Sequence, residues 1–305
     1  MVSIPARQSL SWPALFLAVT GMLLLISPAP LGLRWLAPVM LVPSFFMEPF
    51  SVPVGQAEVT VLDVGQGLAV LIRTHQHLMI YDTGDRFSER MSAAQSVILP
   101  ALSKSGVTKI DRIMISHGDQ DHSGGLPSLL SRYPDVPVIS GTKLPEFEGT
   151  WVKCQPGDHW DWDGVHFQVL AGGDYKRSND ASCVLKVTVG TDSLLLPGDI
   201  SGRVEKRLIE EGVELKSSVL VAAHHGSRFS SDPGFLSAVQ PEVIIFSSGF
   251  ANRFGHPASE TVTRAQEVGA QIFNTAADGS LSFTLGNGNT TVSAYRKTHS
   301  RYWWR

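Results

Sequence analysis

The sequence predicts an α/β domain preceded by one or two membrane helices. Three observations predict it. The first 47 residues hold two apolar runs with almost no charge. From Glu58 onward, short β-type runs alternate with polar loops and helical patterns. Several of those runs end directly in Asp or His, at the strand ends where α/β sheets gather their chemistry.

The N-terminal runs come first. Residues 10–26 (LSWPALFLAVTGMLLLI) carry no charge, and residues 31–47 carry only Arg34 but are interrupted by Pro38 and Pro43. About 17 apolar residues is the lower limit for a helix that crosses a bilayer. Three readings compete: two membrane helices joined by a tight loop, a signal peptide with Arg7 as its basic start, or a pair of buried core helices. A signal peptide leads into ordinary soluble sequence, and here a second apolar run follows instead. Membrane segments over 1–47 are therefore the expectation. Arg7 and Arg34 flank the first run on opposite sides, so the Lys/Arg bias sets no orientation. Residues 48–57, with two prolines and a glycine, read as a linker.

The domain proper is expected over 58–290, with a basic and aromatic tail over 291–305. Its β-type runs include EVTVLDV, HLMIYDT, DRIMIS, CVLKVTV, SLLLP, SVLVAA and EVIIFSS. Helical patterns fall between them at 92–104, 123–132, 201–211 and 258–268. The net charge of −3 over 305 residues predicts no partner, so a nucleic-acid surface would have to be local. Cys154 and Cys183 form no C-x-x-C pair, which excludes a zinc ribbon or redox motif. They could pair in an oxidising compartment. Their apolar, strand-like surroundings instead favour two buried thiols.

The chemistry centres on His117-Gly118-Asp119-Gln120-Asp121-His122-Ser123-Gly124-Gly125, directly after the apolar run IMIS. Four potential ligands fall within six residues, and the small residues after them allow a tight turn into a helix. A capped helix start with solvated acids is the bland alternative, but two His and two Asp at this spacing point to a metal site. Asp199 follows SLLLPG, and His224 and His225 follow SVLVAA. Alone, Asp199 would read as a turn residue or cap; it gains weight as one of a set.

These motifs carry a resemblance. HGDQDHSGG, LLPGD (195–199) and AAHHGS (222–227), in that order, resemble the metallo-β-lactamase superfamily. VLDVGQGLAVLI (61–72), YDTGD (81–85) and NRFGHP (252–257) sharpen it: roughly residues 58–290 resemble the C-terminal domain of the ComEC family of DNA-uptake proteins. In that family a multi-span membrane channel precedes the domain, so the chain would be only the tail of such a protein. The resemblance implies a four-layer αβ/βα sandwich with two divalent metals at one edge. It implies that His117 and Asp119 bind the first metal, Asp121 and His122 the second, and that Asp199 bridges both. His224 matches the second-site ligand, with His225 behind it or facing substrate. Asp82 and Asp63 are the supporting acids.

Two departures bear on the metal. Asp119 stands where the superfamily usually has a histidine, and the mid-domain histidine is missing from Asn179-Asp180-Ala181-Ser182-Cys183. An oxygen-rich first site suits Mn²⁺ at least as well as Zn²⁺. Two metals can hold a hydroxide between them and clamp an in-line displacement at phosphorus, with Asp121 at the reacting centre. The leaving oxygen needs a proton or charge partner, for which His256 and Arg253 are the candidates and His225 the next. The loop GSRFSS with Ser227, Arg228 and Ser230, together with Asn252, reads as a phosphate cradle. The tail TVSAYRKTHSRYWWR suits single-stranded nucleic acid, a membrane headgroup belt or a disordered end.

The expected function is a metal-dependent nuclease domain of a membrane-anchored DNA-uptake protein that degrades the non-transported strand. The expected partners are single-stranded DNA, the membrane, the rest of the channel protein and other competence proteins. The resemblance implies a cell-membrane location, with the catalytic domain periplasmic or extracellular. Two alternatives stand beside it: a hydrolase of a lactone, thioester or β-lactam, and a non-catalytic DNA-guiding module.

Overall fold

The computed structural model describes residues 12–26, 34–45 and 52–299, apart from 146, 174, 176 and 289. The apolar runs form the helices Trp12–Ile26 and Leu36–Phe45, of 15 and 10 residues. At about 1.5 Å per residue the longer reaches roughly 22 Å, short of a hydrocarbon core of about 30 Å. Among the described residues no helix is long and apolar enough to cross a membrane. Ala37 is fully buried, yet Phe16, Met22, Ile26, Trp35 and Val39 expose most of their surface. Arg7, most of the connection between the runs, the start of the linker and the tail residues 300–305 lie outside the described residues.

From Ala57 the chain builds two sheets. The first takes β1 (Ala57–Val61), β2 (Val70–Arg73) and β3 (Leu78–Tyr81). A small ribbon of β4 (Arg86–Ser88) and β5 (Met91–Ser92) follows, and then the sheet resumes with β6 (Arg112–Ile115), β7 (Val138–Ser140) and β8 (Val152–Lys153). The second sheet takes β9 (His159–Trp162), β10 (Val165–Ala171), β11 (Val184–Val189), β12 (Asp192–Leu196), β13 (Val219–Val221), β14 (Val243–Phe246) and β15 (Gln271–Asn274). The chain then returns to the first sheet with β16 (Leu281–Leu285) and β17 (Ser293–Ala294), giving the orders β17-β16-β1-β2-β3-β6-β7-β8 and β15-β14-β13-β12-β11-β10-β9.

Packing explains why the strands read as nearly continuous apolar runs: both faces of each sheet are covered. Val59, Val70, Met79 and Met114 of the first sheet meet Phe167, Leu185, Leu194 and Ile245 of the second in a shared core. On the outer face of the first sheet, Leu71, Ile80 and Ile113 pack with Ile98 and Leu102 and with Leu126 and Leu129 of the helix Leu126–Arg132. On the outer face of the second, Leu195, Leu220 and Ile244 pack with Val204, Leu208, Phe235 and Ala265 of the helices Gly202–Glu210, Pro233–Val239 and Ser259–Glu267. The result is the expected αβ/βα sandwich. Four strands in each sheet, β3-β6-β7-β8 and β12-β13-β14-β15, run parallel. The loops after β3, β6, β12, β13 and β14 carry the motif residues.

Two outcomes differ from the sequence reading. Cys154 and Cys183 form a disulfide with Cα atoms 6.1 Å apart, which corrects the expectation of two free thiols. Both are fully buried, as their apolar surroundings indicated. They meet because Cys154, just past β8, faces Cys183, just before β11, across the gap between the sheets. The beginning of the supposed tail is also built into the fold. β17 pairs with β16, Arg296 lies 2.9 Å from Asp63, and Lys297 lies 3.1 Å from Asp278.

A crosslink closing 29 residues stabilises a fold by roughly 3–4 kcal/mol. Cys154→Ser/Cys183→Ser is expected to lose that much in urea denaturation, and wild type in reductant should match it. Equal stability of reduced and oxidised protein would contradict the assignment.

Candidate metal centre and substrate cleft

Five loops bring the site together. Asp82 follows β3, Ser116 to His122 follow β6, Asp199 follows β12, His224 and His225 follow β13, and Ser247 follows β14. Three of these residues adopt left-handed backbone: Asp82 with φ 59°, His224 with φ 52° and His225 with φ 55°. Such conformations cost on the order of 1–3 kcal/mol each and persist where the surroundings over-determine them. Gly67 of the DVGQG motif has φ 125°, and a Cβ there would lie 2.4 Å from the Asp121 carbonyl oxygen. The glycine lets that loop run directly against the ligand loop.

The hydrogen-bond network assigns one tautomer to all three buried histidines. His122 donates from Nδ1 to Asp82 Oδ2 at 2.8 Å. His225 donates from Nδ1 to the Ser247 carbonyl at 2.8 Å. The Ser116 hydroxyl donates to Asp82 at 2.8 Å, so at 3.0 Å it accepts from His117 Nδ1. Each Nε2 lone pair therefore points into the site. His122 Nε2 lies 3.2 Å from His225 Nε2 and 3.1 Å from Asp199 Oδ1. His225 Nε2 lies 3.2 Å from Asp121 Oδ2 and 3.7 Å from Asp199 Oδ2. His117 Nε2 is buried without a hydrogen-bond partner.

Lone pairs and carboxylates facing one another require a cation. The charges respond accordingly. Burial opposes the charged form of His122, yet Asp199, Asp82 and Asp121 hold its pKa well above the ordinary value. Burial likewise opposes ionisation of Asp199 and Asp121, and the histidines overcome it and hold both well below the carboxylate range. Two groups of donor atoms lie within 4.8 Å of one another: His117, His122 and Asp199, and Asp121, His122 and His225. Imidazole nitrogens held by carboxylate and carbonyl partners are what divalent ions take as ligands, so the residues fit a metal.

The histidine pair is placed differently from the expectation, which gave the ligand role to His224. His225 joins a donor group, while His224 is one-third exposed with Nε2 3.6 Å from Asp199 Oδ2. Consecutive left-handed residues turn the two rings different ways. Asp119 lies 3.5 Å from His117 Nε2 at the rim, with its side chain 46% exposed, and belongs to neither group. Both groups thus hold two imidazoles and one carboxylate, a mixed set that suits Zn²⁺ as well as Mn²⁺.

The other named residues divide. Asp82 lies beneath the site and is fully buried. Asp63 is elsewhere, in the ion pair with Arg296. Ser227 and Ser230 are buried, and Ser230 donates to the Ile200 carbonyl at 2.8 Å. Arg228 is exposed. Asn252 spends its amide on its own loop, accepting from Phe254 N and His256 N and donating to Gly249 O. The His256 ring lies 5.7 Å from that of His224 and 6.3 Å from that of His225. Burial, then the charges of His225 and His224, lower its pKa to about 4, so its ring is neutral at pH 7 and offers an N–H rather than an acidic proton. Arg253 lines a cleft of about 420 Å³ with Gln66, Asp85, Gln120, Asp121, Asn252 and Phe254.

Ser116, Ser182 and Ser247 were not anticipated. Ser182 lies in the stretch that lacks the mid-domain histidine: its hydroxyl accepts from Asp199 N at 3.1 Å and lies 3.4 Å from His117 Nδ1. Ser116 directly precedes His117 and could have been suspected. A backbone carbonyl acting from Ser247, 22 residues beyond His225, leaves no mark on a sequence.

A family model described as the metallo-beta-lactamase superfamily matches residues 62–246. The chain is 39% identical over 296 residues to "Competence protein ComA" of Neisseria gonorrhoeae, covering 96% of this chain and 41% of that protein. It is 34% identical to "Recombination protein 2" of Haemophilus influenzae, covering 81% and 31%, and 26% identical to "ComE operon protein 3" of Bacillus subtilis, covering 79% and 34%. The expected resemblance to ComEC-family proteins therefore holds over most of the chain, which spans less than half the length of these relatives.

Two measurements test the geometry. Asp82→Asn should lower metal affinity by roughly 10–100-fold in chelator competition, because the amide no longer fixes the His122 tautomer; unchanged affinity would remove Asp82 from the site. Glu205, fully buried under the 227–232 loop, accepts from Ser231 N at 2.6 Å and Asp232 N at 2.9 Å. Burial raises its pKa from 4.5 to about 7, with Asp232 adding to the rise and Arg264 opposing it. A folded-state pKa above the unfolded one stabilises fully below pH 4.5, and the contribution is lost as pH rises through about 7. The loss should reach on the order of 2–3 kcal/mol, and Glu205→Gln should flatten the profile in urea titrations across that window.

Proposed function

The chain belongs to the metallo-β-lactamase superfamily, and from that membership and its site we propose a metal-dependent phosphodiesterase: the nuclease domain of a membrane DNA-uptake protein, degrading the strand that is not transported. The observation that carries this reading is the cluster of inward Nε2 lone pairs and carboxylates beside an Arg-lined cleft, in a chain whose relatives are named for competence and recombination.

His117 and Asp199 would hold one divalent ion and Asp121, His122 and His225 a second, because His122 has only Nε2 free and can serve one ion; Asp119 and His224 stand at the rim. Ions held there supply Lewis acidity toward a phosphoryl oxygen and acidify water toward neutral pH. The protein's own groups do the rest. Asp82 and the Ser247 carbonyl hold the imidazoles in the ligating tautomer. The exposed Arg253 guanidinium sits where it can pair with a phosphate. The neutral His256 ring can hydrogen-bond the departing oxygen. Mn²⁺ is proposed to serve at least as well as Zn²⁺.

The buried disulfide supports an oxidising, periplasmic or extracellular setting. The exposed apolar side chains of the two N-terminal helices support a place at a membrane, beside the remainder of a channel protein and other competence proteins.

The full chain, stripped and reloaded with Mn²⁺ or Zn²⁺, should cleave single- or double-stranded DNA and a generic phosphodiester. Asp121→Ala and His122→Ala should each cost roughly 100-fold or more. Turnover of lactones alone would replace this reading with a small-molecule hydrolase, and DNA binding without cleavage would replace it with a guiding module. Rescue by Zn²⁺ but not Mn²⁺ would overturn the metal preference.

A further inference from the structure

The cleft beside the metal centre contains an aromatic feature that the hydrolytic reading leaves unused. Phe254 is 52% exposed although it lines the cleft with Asp121. Its ring is the first of three near-parallel rings, and the Arg253 guanidinium lies close to it. The Arg253 guanidinium carbon lies 4.7 Å from the Phe254 ring centre. The Phe254 and His256 rings are 5.7 Å apart at 22°, and the His256 and His225 rings are 6.3 Å apart at 28°. The series thus runs from an exposed cation to a residue of a donor group. Asn252 holds the supporting turn by accepting from both Phe254 N and His256 N.

We propose that Arg253 and Phe254 form a stacking subsite for one unpaired nucleobase next to the scissile phosphate. The proposal rests on the phosphodiesterase reading and names its substrate class as single-stranded nucleic acid. A flat apolar ring and a guanidinium next to a centre whose bound ions would attract a phosphate match the two halves of a nucleotide. Bases stack on aromatic faces without regard to sequence, and Arg adds a cation–π contribution. A duplex keeps its bases stacked internally, so only a single strand can offer one to Phe254. The walls keep polar atoms for the base edge. Among the described residues, Gln66 accepts from Gly249 N through Oε1 and its NH₂ has no partner, and Gln120 donates to the Arg86 carbonyl through Nε2 and its Oε1 has none.

The test compares the full wild-type chain with F254A and F254W, metal-stripped and at low salt, by fluorescence anisotropy. The probes are a short oligothymidylate, an abasic oligomer of equal length and charge, and a duplex. Wild type should bind oligothymidylate more tightly than the other two. F254A should weaken oligothymidylate binding about 10-fold, down to the abasic level, and F254W should retain it. Thermal melts matching wild type exclude a folding defect. Equal wild-type affinity for oligothymidylate and abasic oligomer, or an F254A loss shared by both, overturns the subsite. If Mn²⁺-loaded wild type still cleaves DNA in that case, the phosphodiesterase reading stands. Wild type that neither binds nor cleaves DNA overturns both.

Discussion

The structure depends on one electrostatic constraint: Asp199, Asp121, His122 and His225 converge with unshared electron pairs facing one another. His122 Nε2 and Asp199 Oδ1 are 3.1 Å apart, and both residues are almost wholly buried. A dry site of that composition is tolerable only with positive charge inside it. Protons can supply that charge, as the raised pKa of His122 and the lowered pKa of Asp199 express. Divalent ions could supply it equally, at Nε2 atoms left free because each imidazole has its other nitrogen committed elsewhere.

The architecture delivers those groups. Parallel strands in both sheets end at the same edge: the loop after β6 contributes three donors, the loops after β12 and β13 one each, and those after β3 and β14 the partners that hold the histidines. Neither sheet alone could assemble the set: Asp82 and the His117–His122 loop come from the first, Asp199, His225 and Ser247 from the second. The contacts between the sheets near the site are correspondingly specific. Ser182 links Asp199 to His117, and the neighbouring Cys183 is bonded to Cys154 of the opposite sheet. The left-handed backbone of Asp82, His224 and His225 is held by other bonds: Asp82 N to the Met114 carbonyl, His224 N to the Gly198 carbonyl and His225 Nδ1 to the Ser247 carbonyl.

The substrate side is built differently. Polar residues that looked like a phosphate cradle are largely spent on internal support: Ser230 on the Ile200 carbonyl and Asn252 on its own turn. What remains exposed beside the donor cluster is mixed: Arg253 and Phe254, amide walls, and the acids Asp85, Asp119 and Asp121. Sequence motifs mark loops whose shape matters. They do not distinguish the side chain that meets a ligand from the one that holds the loop.

The sequence by itself determined the α/β class, the order of most elements and the set of candidate donors, because apolar periodicity and strand-end motifs are local properties; the layered sandwich came from the family resemblance. The helical patterns at 201–211 and 258–268 appear as Gly202–Glu210 and Ser259–Glu267 for that reason. The short strand β9, with its alternating HWDW, was not read, because its Trp rings pack on Arg112 and Phe167 rather than entering an apolar run. Tertiary structure alone decided three matters: that Cys154 and Cys183 pair, that His225 rather than His224 joins the buried donor cluster, and that Asp63 pairs with Arg296 away from that cluster. Each turns on distances between residues far apart in the chain or on the sign of a backbone angle, and neither quantity is written in the order of the amino acids.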